Sequence, residues 1–233
     1  MKYIIFDIDG TLTDTTSVDD DCFIGAFMEI YGIDLSDQDW AIFKNVTDWG
    51  ITEEILTTHR DNIPNMEEIK ALIPRLAERL IEERSADPNR FLPIPGADAF
   101  FESMKLSNNC LVGIATGAWE KSAVIKLEGA GFEFHNIPFS NSDHHKSREG
   151  IIQHVIQQLD AISGLKKRDI IYFGDGVWDY KTCKNLGIRF VGIDAHRNGK
   201  LKSIGASVVF QDYFQIDAIM GWIDNGNWGE ICF

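Results

Sequence analysis

Asp7 and Asp9, separated by one residue, follow the short apolar run Tyr3 to Phe6 and precede Gly10 and Thr11. Residues two apart near a strand end point the same way, so one acid can attack while the other handles protons. Gly10 lets the chain turn away without a side chain in the pocket. Thr116-Gly117 follows a second apolar run, Leu111 to Ala115, and Gly174-Asp175-Gly176-Val177-Trp178-Asp179 follows another, Ile170 to Phe173. Lys146 lies ahead of the helical pattern leading to that third run.

If these positions converge, four acids, a hydroxyl and a lysine meet at one place. Carboxylates without His or Cys favour a hard, oxygen-seeking cation such as Mg²⁺, held by one or two carboxylates plus substrate phosphate. A carboxylate beside such a cation can attack phosphorus, dividing a hydrolysis into formation and breakdown of an aspartyl phosphate. Asp7 is then the nucleophile. Asp9 protonates the leaving oxygen and afterwards deprotonates water. Thr116, Gly117 and the following helix start offer a hydroxyl and backbone N–H groups to phosphate oxygens, and Lys146 neutralises charge during transfer.

Convergence requires a scaffold. The apolar runs Tyr3 to Phe6, Leu111 to Ala115, Ile170 to Phe173, Phe190 to Ile193 and Val208 to Phe210 read as buried parallel strands, with a weaker one near Phe132 to Phe139. Helical periodicity fills the gaps at Ala97 to Lys105, Glu120 to Glu128, Arg148 to Leu159 and Tyr180 to Leu186. This alternation predicts an α/β fold with a doubly wound, Rossmann-like parallel sheet, whose ligands bind beyond the carboxyl ends of the strands. Between about residues 15 and 90 the pattern is helical only, at Cys22 to Tyr31, Asp37 to Lys44, Thr52 to Thr58 and Met66 to Arg84. The expected division is therefore a core of 1–14 and 91–233 with a helical insertion of 15–90. Pro93, Pro95 and Gly96 punctuate the return. The acidic run Asp19 to Asp21 reads as a helix N-terminus.

The chain has 233 residues, 44% hydrophobic and 25% charged, enough for one large domain with an insertion and a sizeable core. Its 22 Lys and Arg against 36 Asp and Glu give a formal charge of −14, a field that repels nucleic acid and anionic membranes. Cys22, Cys110, Cys183 and Cys232 are scattered without metal or disulfide spacing, Asp7 and Asp9 interrupt the first apolar run, and no stretch approaches a membrane span. The expectation is a cytoplasmic protein, monomer or homodimer, whose partner is a small phosphorylated metabolite.

Asp7 to Asp14, Ile114 to Gly117, Lys146 and Gly174 to Asp179 resemble, in order, the four motifs of the haloacid dehalogenase superfamily, over the whole chain. The helical insertion is similar to the cap of its phosphoglycolate-phosphatase-like members. The resemblance implies a Mg²⁺-dependent phosphatase, with metal ligands from the Asp7 carboxylate, the Asp9 backbone carbonyl and Asp175, and with Asp179 in support. It departs at the third motif, where Lys146 is followed by Ser147 and Arg148 instead of proline. Within the cap, the loop Lys44 to Gly50 suits substrate reading, with Lys44, Asn45 and Asp48 the candidate contacts. His144, His145, Trp49, Trp119 and Trp178 stand near motif residues, either at the pocket or packed nearby. A phosphosugar mutase of the same superfamily stays open. A phospho-accepting signalling domain fits less well, because Asp9 and a cover suit turnover, and dehalogenation has no need of Asp9.

Overall fold

The computed structural model describes residues 1–60, 62–164 and 168–225, so Cys232 lies outside the described residues. Its six strands are β1 Lys2–Phe6, β2 Cys110–Ala115, β3 Phe139–Ser140, β4 Asp169–Gly174, β5 Arg189–Ile193 and β6 Val209–Phe210. They form one sheet in the order β3-β2-β1-β4-β5-β6, every pair parallel. The weak strand expected near Phe132 to Phe139 contracts to two residues, which pair with Ile114 and Ala115.

A sheet buried on both faces needs apolar side chains at consecutive positions. In β1, Ile4 and Phe6 face one layer and Tyr3 and Ile5 the other, all with no exposed surface. After β1 come α1 Thr16–Tyr31, α2 Asp48–Arg60, α3 Met66–Lys70 and α4 Leu72–Ala86; then α5 Ala97–Leu106, α6 Glu120–Gly129, α7 Arg148–Ser163, α8 Val177–Leu186, α9 Lys200–Ser203 and α10 Ile216–Asn225. The Ile4 and Phe6 layer is covered by α5, α6 and α10 through Phe100, Phe101, Leu127 and Trp222. The other is covered by α7 and α8 through Ile151, Val155, Leu159 and Cys183. The chain runs outward from β1 through β2 to β3, then returns beside β1 as β4. Neighbouring connections therefore part above the carboxyl ends of β1, β2 and β4, the switch point where open α/β sheets bind ligands.

The segment between β1 and α5 holds its own apolar cluster, in which Phe23 and Phe27 of α1 meet Leu56 of α2 and Leu72, Leu76 and Leu80 of α4, with Phe91 and Trp119 completing it. Two local readings are revised. The helix expected over Asp37 to Lys44 is a single 3₁₀ turn, Trp40–Ile42, begun by the Asp39 carboxylate accepting from the Ala41 N–H at 3.0 Å. The helix expected over Met66 to Arg84 is two, divided at Ala71, because Pro74 has no N–H for the Lys70 carbonyl and is tolerated only in a first turn. The two chain crossings into this segment run side by side: the Asp14 N–H donates to Leu92 O at 2.8 Å and the Ile94 N–H to Leu12 O at 2.9 Å. Among the described residues no helix is long and apolar enough to cross a membrane.

Phe100 is wholly buried against Phe6, Phe173 and Tyr213, whereas Leu106 of the same helix is 82% exposed. Phe100→Ala is expected to cost about 3–5 kcal/mol in urea denaturation, and Leu106→Ala within about 0.5 kcal/mol of zero. Similar losses at the two positions would contradict this assignment of the core.

Candidate active site

Asp7 is the first residue beyond β1, and its N–H still donates to Phe173 O at 2.9 Å, which holds it between β1 and β4. Its side chain is almost wholly buried. Oδ2 lies 3.2 Å from Nη1 of Arg148, while Oδ1 is buried without a hydrogen-bond partner. Oxygens of Asp7, Asp175 and Asp179 lie within 4.8 Å of one another. Burial pushes the proton affinities of all three up, Asp179 to about 7, with Arg148 opposing. An all-oxygen set with an orphaned lone pair and unrelieved negative charge fits a hard divalent cation such as Mg²⁺. Gly10, at φ +69°, makes room for this cluster, since a Cβ there would collide with the Asp175 carboxylate.

Asp9 is held from both sides. Oδ1 accepts from the Thr15 hydroxyl and Oδ2 from Lys126 Nζ, each at 2.6 Å. Lys126, on α6, has no exposed surface, and its ammonium also donates to Asp19 of α1 at 2.7 Å. Two carboxylates raise its proton affinity above the ordinary lysine value against the cost of burial. Lys126 went unread in the sequence, although one signal was available: it stands at helical spacing among the buried Ala123, Leu127 and Ala130.

Beyond β2, the Thr116 hydroxyl accepts from the Ala118 N–H at 3.2 Å, and the Trp119 N–H donates to Asp48 Oδ2 at 2.8 Å. The Glu120 N–H donates to Asp143. The N–H groups of 118–120, expected to face phosphate, are thus engaged within the protein. The Asp48 N–H donates to Gly117 O at 2.8 Å, the Thr47 hydroxyl to Lys146 O at 2.7 Å and the Trp49 N–H to the Ser142 hydroxyl at 2.9 Å. These bonds stitch the start of α2 onto the strand ends. Asp48, Trp49 and Gly50, expected in a loop, belong to α2 itself.

Lys146 does not reach Asp7. Its ammonium pairs with Glu53 of α2 and its side chain is half-exposed, because its carbonyl is turned inward to the Thr47 hydroxyl. The cation beside Asp7 is Arg148. Ser147 caps α7 by accepting from the Gly150 N–H at 3.2 Å, which aims the first helical residue, Arg148, along the strand ends. There Arg148 donates to Asp179 at 2.7 Å and to Val46 O at 2.9 Å, over the Trp178 ring. A Cβ at Gly117 would come within 2.8 Å of its guanidinium.

These groups surround a cavity of about 110 Å³ lined by Asp7, Asp9, Thr116, Gly117, Arg148 and Asp175 from the sheet side. The helical segment contributes Asp19, Asp20, Phe23, Trp40, Thr47 and Asp48. Asp19 and Asp20 do stand in the first turns of α1, as their run suggested, but they also face this cavity. Lys44 and Asn45 line a separate depression. His144 and His145 pack against His154, and Trp49 stacks on Trp119; of the tryptophans near the motifs, Trp178 lines the cavity. Arg60 pairs with Glu68, and His59 bonds Ile55 O.

A buried carboxylate at the switch point of a parallel sheet, roofed by an inserted helical segment, defines a Rossmann-like α/β fold with a covered cavity at its strand ends. The chain belongs to the haloacid dehalogenase-like hydrolase family, whose model matches residues 4–193. No curated protein matches it. Its fold is similar to that of a hydrolase from Pseudomonas syringae, with a TM-score of 0.74 at 20% identity over 96% of this chain and 99% of the other. A β-phosphoglucomutase from Clostridium difficile gives 0.70 at 17% over 95% and 96%. A predicted phosphoglycolate phosphatase from Haemophilus somnus gives 0.62 at 16% over 94% and 98%.

Burial pushes Asp20 up to about 7 and Asp48 up to about 8. With folded values above unfolded ones, the native state binds more protons in this window, so stability falls as pH rises through it. The cation-free protein is therefore expected to show a higher thermal midpoint at pH 6.5 than at pH 8, and Asp48→Asn to flatten the difference. A midpoint that rises with pH across this interval would refute the assignment.

Proposed function

We propose that this hydrolase is a phosphatase acting on a small phosphomonoester through an aspartyl phosphate on Asp7. The observation that carries the reading is Asp7 itself, buried at the switch point with one oxygen beside Arg148 and the other without a partner. In the first half-reaction an Asp7 oxygen bonds phosphorus as the ester P–O bond breaks, and Asp9 gives its proton to the departing oxygen. In the second, Asp9 takes a proton from water, whose oxygen bonds phosphorus as the bond to Asp7 breaks, releasing inorganic phosphate. Both Asp9 oxygens are engaged by Thr15 and Lys126, so Asp9 must yield a contact to reach the leaving oxygen.

Arg148 neutralises phosphoryl charge in the role expected of Lys146. Thr116 and Gly117 border the transferred group. The residues that would hold Mg²⁺ are the Asp7 carboxylate, the Asp9 carbonyl and Asp175, with Asp179 in support; when bound, the ion supplies charge stabilisation and orientation of the phosphoryl oxygens. The segment 15–90 acts as a cap, and its stitched position excludes water. Of the proposed contacts for the leaving group, Asp48 has the placement, because Lys44 and Asn45 lie outside the cavity. Hydrolysis is favoured over mutase chemistry because Lys126, the one further buried cation at the site among the described residues, is already bonded by two carboxylates and unavailable to a second phosphate. The acidic balance and the buried thiols Cys22, Cys110 and Cys183 support a cytoplasmic setting.

Asp7→Asn is expected to abolish release of phosphate from a generic aryl phosphate in Mg²⁺. Arg148→Ala should lower kcat/KM by roughly 10²–10³, and Lys146→Ala by less than about tenfold. Mass spectrometry of quenched enzyme should place the phosphoryl group on Asp7. Label on another residue, or full activity in excess chelator, would overturn the mechanism.

A further inference from the structure

The part of the cavity lining supplied by the helical segment is acidic and aromatic. Asp19 and Asp20 project from α1 and Asp48 from α2, beside Phe23 and Trp40, whose rings meet edge to face at 5.6 Å. Asp48 is 8% exposed and lines the cavity; one of its oxygens accepts from the Trp119 N–H, and the other accepts no hydrogen bond among the described residues. Asp19 is bonded to Lys126, but that ammonium is shared with Asp9 and so leaves negative charge in excess. Burial, with repulsion from Asp19 and Asp9, raises both Asp20 and Asp48 by more than Lys126 lowers them.

These groups do not form a second metal centre: among the described residues, only Asp7, Asp175 and Asp179 bring ligand oxygens close enough together. A leaving group bearing a carboxylate would be repelled at every one of these positions. A neutral one would leave them uncompensated. A nitrogen cation satisfies carboxylates and aromatic faces together, and a cavity of about 110 Å³ suits a short organic part.

We propose that the substrate is the phosphomonoester of a short amino alcohol, whose cationic nitrogen lies among Asp20, Asp48, Trp40 and Phe23 while its phosphoryl group meets Asp7 and Arg148. This rests on the phosphatase reading. Hydrolysis breaks the ester P–O bond and yields inorganic phosphate and the free amino alcohol. It also sets aside carboxylate-bearing esters such as phosphoglycolate.

The test compares, on the full-length wild-type protein in Mg²⁺, 2-aminoethyl phosphate and 2-(trimethylammonio)ethyl phosphate with the uncharged propyl phosphate, with phosphoglycolate and with a generic aryl phosphate. One of the cationic esters should exceed propyl phosphate at least about tenfold in kcat/KM and phosphoglycolate by about a hundredfold or more, as expected for a buried opposite charge. Asp20→Asn and Asp48→Asn should each shrink the ratio of cationic to uncharged ester, a readout independent of total activity. Hydrolysis of the aryl phosphate with no preference for either cationic ester would overturn this inference alone. Absence of hydrolysis for all five compounds would overturn it together with the phosphatase reading.

Discussion

The structure turns on the ion pair between Arg148 and the carboxylates of Asp7 and Asp179. A carboxylate taken out of water costs several kcal/mol unless it is paired and hydrogen-bonded, and here three are gathered above adjoining strands. Arg148 partly offsets that cost, and its planar fork also donates to the Val46 carbonyl of the helical segment. A lysine could not hold those partners in one plane. The glycine at 117 is the corresponding concession of the backbone, since a side chain there would occupy the guanidinium's place.

The same constraint recurs on the other side of the cavity. Lys126 joins Asp9 of the sheet edge to Asp19 of α1, so the position of the helical segment is coupled to the state of Asp9. Along the opposite rim, residues 46–49 exchange hydrogen bonds with Gly117, Trp119, Ser142, Lys146 and Arg148. Motion of the helical segment would break these bonds and expose several acids to water at once. Access for a substrate and the electrostatic balance of the site are therefore one problem, and the two buried cations sit where the two halves of the molecule meet.

Much of the scaffold was legible because its determinants are local. Alternation at β1, with Tyr3 and Ile5 on one face and Ile4 and Phe6 on the other, follows from the pleat, and helical stripes such as Phe100, Phe101 and Met104 follow from the helix repeat. Once strands and helices alternate, the switch point follows, and with it the meeting of Asp7, Thr116 and Asp175. Less was legible where a single residue governs geometry: Pro74 divides one expected helix, and Asp39 begins a single 3₁₀ turn where another was expected.

By itself, then, the sequence determined the family, the parallel sheet and the acids that follow its strands, since each depends on neighbours within a few positions. Only the tertiary structure decided which cation serves Asp7. Lys146 and Arg148 are two residues apart and both cationic residue types, and the choice rests on Ser147 starting α7 and on Thr47, 99 residues from Lys146, drawing its carbonyl inward. Likewise Lys126 meets Asp9 across 117 residues, and Asp19, Asp20 and Asp48 reach the cavity only because α1 and α2 pack over it. Side-chain direction at a helix end depends on what the helix packs against, and that information is distributed over the whole chain.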